Sequence, residues 1–97
     1  MTPEGRVKEQ VKKLLTAHGA WWCMPFGGGY GRAGIPDFLV CVNGYFLAVE
    51  CKAEDGRTTA LQERELWNIQ ASKGAAYVVR PSTLPKLEAL LCLLKAR

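Results

Sequence analysis

Residues 35–52 read IPDFLVCVNGYFLAVECK, and this stretch decides the fold. Two apolar runs, Phe38–Val42 and 45–49, flank the pair Asn43-Gly44. An Asn-Gly pair between runs rich in β-branched and aromatic residues is the strongest short signal for a hairpin, because its tight turn needs positive φ at both central residues. Strands are therefore expected over 37–42 and 45–52. A two-residue turn also fixes the register: Val42 faces Tyr45, Cys41 faces Phe46 and, counting outward, Asp37 faces Glu50. Facing residues have Cβ atoms about 4.5–5.5 Å apart, and like charges there are destabilising. Two carboxylates so placed on otherwise apolar strands need a reason. A divalent cation between them supplies one, since hard metals such as Mg²⁺ take carboxylate oxygens plus water. Lys52 lies two residues beyond Glu50, so strand alternation puts it on the same face while Cys51 points away. A cation there can position a water or stabilise charge on a phosphate. The plainer alternative is a solvated hairpin rim with an ordinary Lys–Glu contact.

Working outward, Thr2 caps a first helix that has Pro3 at its first position, runs to about His18 and stops at Gly19. Val7, Val11, Leu14 and Leu15 repeat at helical spacing along it. Residues 21–24 read as a short strand, and the glycine-rich 27–34 as a loop. After a charged turn at 53–57, Thr58 or Thr59 caps a helix running to about Ser72 and closed by Gly74. A strand follows at 75–80. Ser82 or Thr83 then caps a last helix over 84–95, with Pro85 harmless in its first turn. The order α-β-β-β-α-β-α implies an α/β fold, a mixed sheet flanked by helices, in one domain spanning 1–97. Glu4 points along the apolar stripe of the first helix, and Gln62 sits between Leu66 and Ile69 on the core-facing side of the second. Polar groups on buried faces need partners. Each alone is explained by a helix end half in water. Convergence of Glu4, Asp37, Glu50, Lys52 and Gln62 on one place is harder to explain that way.

Composition narrows the class. Of the 97 residues, 48% are apolar, and no apolar run approaches the about 18 residues that a membrane span needs. The N-terminus lacks a signal peptide's apolar block. A cytoplasmic protein without a membrane partner is the expectation. The cysteines at 23, 41, 51 and 92 form no C-x-x-C pair, and His18 is the lone histidine, which argues against a zinc site. All four are expected to be reduced and mostly packed. A net charge of +4 fits an anionic partner without specifying one. Residues 29–34 match G-x-G-x-x-G literally, but a strand follows where a dinucleotide site needs a helix, so that reading fails. The stretch is either a plain connector or a clamp, in which Arg32 grips a phosphate and Tyr30 stacks on a base or sugar. Arg6, Lys8, Lys12 and Lys13 read as a solvated helix surface first and a DNA track second. Trp67 lies off its helix's apolar stripe, and Leu84, Leu87, Leu90, Leu91, Leu93 and Leu94 give the last helix more apolar surface than one side of a small sheet should cover. Both suggest contact with a second copy.

Ile35-Pro36-Asp37, twelve intervening residues and then Glu50-Cys51-Lys52 resemble the PD-(D/E)XK nuclease motif. The N-terminal helix with Glu4, Gly34 before the Pro-Asp pair, and Gln62 opening the next helix resemble its VRR-NUC branch, the virus-type replication-repair nucleases related in fold to Holliday-junction resolvases. The resemblance runs from Glu4 to about Val79 and implies a restriction-endonuclease-like fold. It implies a metal-dependent endonuclease hydrolysing DNA, with branched DNA such as Holliday junctions as substrate and Mg²⁺ or Mn²⁺ as cofactor. Asp37, Glu50 and the backbone carbonyl of Cys51 would bind the metal. Lys52 would orient the attacking water, Glu4 would reach metal-bound water or a second metal, and Gln62 would position Lys52 or the water. Phage and bacterial single-domain members of this kind are expected to act as homodimers, here in a bacterial or phage-infected cell. The competing class is a non-catalytic basic module that binds nucleic acid, which would not need Asp37, Glu50 and Lys52 together. RNA as the substrate stays open.

Overall fold

A computed structural model describes residues 1–26 and 32–97. The expected element order is the one observed. Helix α1 (Pro3–Ala17) is followed by strands β1 (Trp21–Cys23), β2 (Phe38–Val42) and β3 (Tyr45–Cys51). Helix α2 (Ala60–Ala71), strand β4 (Ala75–Val79), a short 3₁₀ turn (Pro81–Thr83) and helix α3 (Leu84–Lys95) complete the chain. The strands form one mixed sheet in the order β1-β2-β3-β4. The first three are antiparallel neighbours, and β4 returns parallel to β3 after α2 has crossed the sheet.

The hairpin has the register that its turn demands. Asn43 and Gly44 both take positive φ, 50° and 83°, and Val42 pairs with Tyr45 through to Phe38 with Val49. The Asn43 side chain also ties the end of α3 to the hairpin tip, because its amide donates to the carbonyls of Leu94 (3.0 Å) and Arg97 (2.6 Å).

Alternation along the strands separates two faces. Phe38, Val40 and Val42 of β2, with Leu47, Val49 and Cys51 of β3, meet α1 through Val7, Val11 and Leu15 and α3 through Leu87, Leu91 and Leu94. The opposite face is thinner: Ala48 and Ala76 offer only methyl groups, on which Leu66 and Ile69 of α2 rest. Helix α2 covers β3 and β4 but not the rest of this face. Trp21, Cys41 and Phe46, aligned across β1, β2 and β3, are exposed there.

Four local expectations need correcting. Most leucines of α3 are not surplus: Leu87, Leu91 and Leu94 are buried, Leu84 and Leu90 pack at the core's edge, and only Leu93 among the six is exposed. The reason is that α3 shares its layer with α1 and is covered by helix as well as sheet. Helix α2 ends with Lys73, not Gly74, in the left-handed region (φ 74°). Gly74 is needed for space, since an added Cβ would lie 2.9 Å from Ile69 Cγ2 and 3.0 Å from Phe46 Cδ2. Neither candidate cap of α3 caps it by its side chain: Ser82 donates to Glu54, and the Thr83 hydroxyl accepts from the backbone N–H of Arg80. All four cysteines are free, but Cys41 and Cys92 are exposed, not packed. Cys41 occupies the uncovered part of the α2 face and Cys92 the outer side of α3.

Candidate active site

The ladder between β2 and β3 stops at Phe38 and Val49, and the next residue on each strand carries a carboxylate. At that point the Asp37 side chain takes over from the backbone. Its Oδ2 accepts the N–H of Cys51 at 2.8 Å, so the sheet edge is closed by a carboxylate and its other oxygen, Oδ1, faces outward to Lys8 at 3.6 Å. The Cys51 thiol points into the α1–α3 core, where burial pushes its pKa up, and so takes no part as a thiolate.

Glu50 is only 2% exposed. Its Oε2 accepts from Gln62 Nε2 at 3.1 Å and lies 3.7 Å from Lys52 Nζ. Its Oε1 is buried and has no hydrogen-bond partner among the described residues. Burial, and next the nearby charge of Asp37, push the Glu50 pKa up to about 7, against the opposing pull of Lys52. A buried carboxylate with one idle oxygen beside a second carboxylate is an expensive arrangement for a protein to keep.

Lys52 is held by its backbone N–H, which donates to Val79 on β4, and its ammonium sits between Glu50 and Glu4, 3.9 Å from Glu4 Oε1. Glu4 reaches this point because Thr2 starts α1 with its hydroxyl accepting the N–H of Gly5, which places Glu4 in the first turn. Gln62 has two duties. As the third residue of α2 it completes a capping box with Thr59, Oε1 accepting the Thr59 N–H, while Nε2 is left for Glu50. Its side-chain contact is with the Glu50 carboxylate, which stands beside Lys52, the group that it was expected to position if it did not position the water. Gly34 (φ 83°) lies directly against the start of α2: an added Cβ would lie 2.5 Å from the Leu61 carbonyl carbon and 2.9 Å from Gln62 N. Only glycine lets the Pro36-Asp37 segment close on the start of α2.

The structure therefore brings Glu4, Asp37, Glu50, Lys52 and Gln62 together at one end of the sheet. Arg32 is directed elsewhere, with Nε and Nη2 each 2.9 Å from a carboxylate oxygen of Glu65, a residue of α2 that is only 4% exposed. Tyr30 lies outside the described residues. Two participants were missed from sequence. Lys8, read as solvated surface, bridges Glu4 and Asp37; the signal was its position four residues after Glu4, on the same helix face. Glu65, which anchors Arg32, gave no signal, because its partner comes from a distant loop.

Among the described residues, no three His, Cys, Asp or Glu side chains gather as a ready-made metal cage. Two carboxylates, one with an unsatisfied buried oxygen, still suit a hard divalent cation, which commonly takes one or two carboxylates and completes its shell with water.

No protein-family profile matches the chain, and no curated protein matches it. Among solved structures, one described as "VRR_NUC domain" superposes over 100% of this chain and 98% of its own length, with a TM-score of 0.71 and 25% sequence identity.

Proposed function

Because the chain is a VRR-NUC domain by fold, we propose that it is a nuclease, specifically a metal-dependent endonuclease that hydrolyses DNA phosphodiester bonds, with branched DNA such as Holliday junctions as its substrate. The observation that carries the reading is the buried Glu50 Oε1, without a hydrogen-bond partner among the described residues, on a carboxylate close enough to Asp37 to feel its charge. Asp37, Glu50 and the carbonyl of Cys51 would hold Mg²⁺ or Mn²⁺. Such an ion supplies charge neutralisation at the phosphate and lowers the pKa of a bound water.

The chain's own residues do the rest. Lys52, fixed by its backbone bond to β4, holds its ammonium where it can orient the attacking water and share charge developing on the phosphate. Gln62 keeps the Glu50 carboxylate turned toward the site. Glu4 neutralises the far side of Lys52 and can accept a hydrogen bond from water in the cleft. In the reaction the water oxygen forms a bond to phosphorus, one P–O ester bond breaks, and the leaving oxygen takes up a proton. Arg32, still largely exposed beyond its pair with Glu65, offers one face to a DNA phosphate, and Tyr30 is proposed as a stacking group beside it.

Paired cuts at a junction call for two sites, and a two-fold homodimer supplies them. Trp67, 67% exposed, and the uncovered row of Trp21 and Phe46 are apolar surfaces available for that contact. Among the described residues no helix is long and apolar enough to cross a membrane.

The deciding experiment incubates the protein with linear, flapped and four-way DNA in Mg²⁺, Mn²⁺ or chelator. Cleavage that needs the ion and is strongest on branched DNA is the expected result. DNA that is bound but never cut would replace the enzyme with a non-catalytic binding module.

A further inference from the structure

Three carboxylates and two ammonium groups alternate at the site. Lys52 lies between Glu50 and Glu4, at 3.7 and 3.9 Å. Lys8 lies between Glu4 and Asp37, at 3.6 Å from each. The oxygen that Lys8 faces is the informative detail. Asp37 Oδ2 accepts the Cys51 N–H on the Glu50 side, and the other oxygen, Oδ1, is the one beside Lys8 Nζ on the Glu4 side. Glu4 Oε2 meets the same ammonium.

A surface lysine four residues after a glutamate forms an ordinary helix pair worth little. That account explains the Glu4 contact but not the reach across to a residue on another element. A divalent ion placed between Glu4 and Asp37 would have to share their oxygens with that ammonium, and two cations at such a distance repel.

We infer that the Lys8 ammonium fills the second-cation position between Glu4 and Asp37, so that the centre formed by Asp37 and Glu50 takes a single divalent ion. The inference rests on the metal-dependent reading above and gives Lys8 a positioning role: it neutralises Glu4 and orients Asp37 Oδ1. Removing the Lys8 ammonium leaves no cation between Glu4 and Asp37, with Lys52 still 3.9 Å from the other oxygen of Glu4, and so opens a second carboxylate pair.

Mn²⁺ titration followed by electron paramagnetic resonance tests this without reference to activity, because free ions are counted directly and close pairs of bound ions broaden each other's signal. Wild type and Lys8→Arg should each bind one ion per chain with an isolated signal. Lys8→Met should bind two, with the spin coupling of a close pair, and Lys8→Gln carries the same expectation should Lys8→Met fail to fold. Two ions in wild type, or one in the charge-removing variants, overturns the role of Lys8 and leaves the metal reading standing. No bound ion in any folded variant removes the metal centre itself, and this inference with it.

Discussion

The two faces of the sheet are built for different ends. Against α1 and α3 the strands present Phe38, Val40, Val42, Leu47 and Val49, all buried among aliphatic side chains from both helices. Against α2 they present Ala48 and Ala76, and then, toward one end, Glu50 and Lys52. The first face buries large apolar surfaces with nothing polar to satisfy. The second buries two charged side chains on one strand, and a third, Glu65, on the helix above. Stability is concentrated on one side and the cost of chemistry on the other. The alternation of a strand lets one segment, β3, serve both at once.

The widest separation between the faces should appear in catalysis. Asp37→Asn and Lys52→Ala are each expected to lower cleavage by about 10²–10³-fold or more, while circular dichroism shows the native fold retained. Either variant cutting near the wild-type rate, in preparations free of contaminating nuclease, breaks the site assignment.

The apolar face should respond in the opposite sense. Leu91→Ala removes a fully buried side chain at the junction of α3 with the sheet, and should cost about 2–5 kcal/mol in denaturant unfolding. A loss well under 1 kcal/mol would mean that the α3 layer is not part of the cooperative core.

Metal-free protein should show the α2 face as a pH dependence. Glu50 has a folded pKa of about 7 against an ordinary value of 4.5. Below pH 4.5 both folded and unfolded states hold the proton, and no stability difference arises. Between the two values the unfolded chain releases it and the folded protein keeps it, so stability falls as pH rises and the loss is complete above about pH 7. The span is on the order of 3 kcal/mol. Glu50→Gln should flatten this part of the curve and make the metal-free protein more stable at pH 8, as read by urea unfolding in chelator. A variant as unstable as wild type at pH 8 would remove Glu50 as the strained group.

The smallest effect concerns the capping box. Thr59→Ala should cost about 1 kcal/mol of stability and loosen Gln62, which leans on both Thr59 and Glu50. Cleavage reduced more than stability accounts for would show that the cap also serves the site. Equal small losses in both would confine it to the helix.

What could be read in the sequence follows from how local each cause is. The hairpin register was legible because two residues, Asn43 and Gly44, dictate it, and everything from Asp37 to Lys52 follows by counting. The start of α2 was legible to within one residue, as a cap at Thr58 or Thr59, and the bond of Thr59 with Gln62 decides it. Lys8 and Glu65 were not, because their partners come from other elements: Asp37 meets Lys8 across a tertiary contact, and Arg32 reaches Glu65 from thirty-three residues away. Helical periodicity says which way a long side chain sets out, and not what it meets at the end. The end of α2 was misread because Gly74 answers to two pressures at once. A close approach to Ile69 and Phe46 requires glycine there, and the left-handed residue moves to Lys73.

The Asn43 clamp on Leu94 and Arg97 bears on where another polypeptide could be attached. Anything joined after Arg97 would emerge beside the hairpin tip, six strand residues from Asp37, or about 20 Å at the usual rise. Anything joined ahead of Thr2 would begin within one helical turn of Glu4, beside the clustered carboxylates. An affinity handle on the first end stands clear of the proposed active site, and one on the second crowds it.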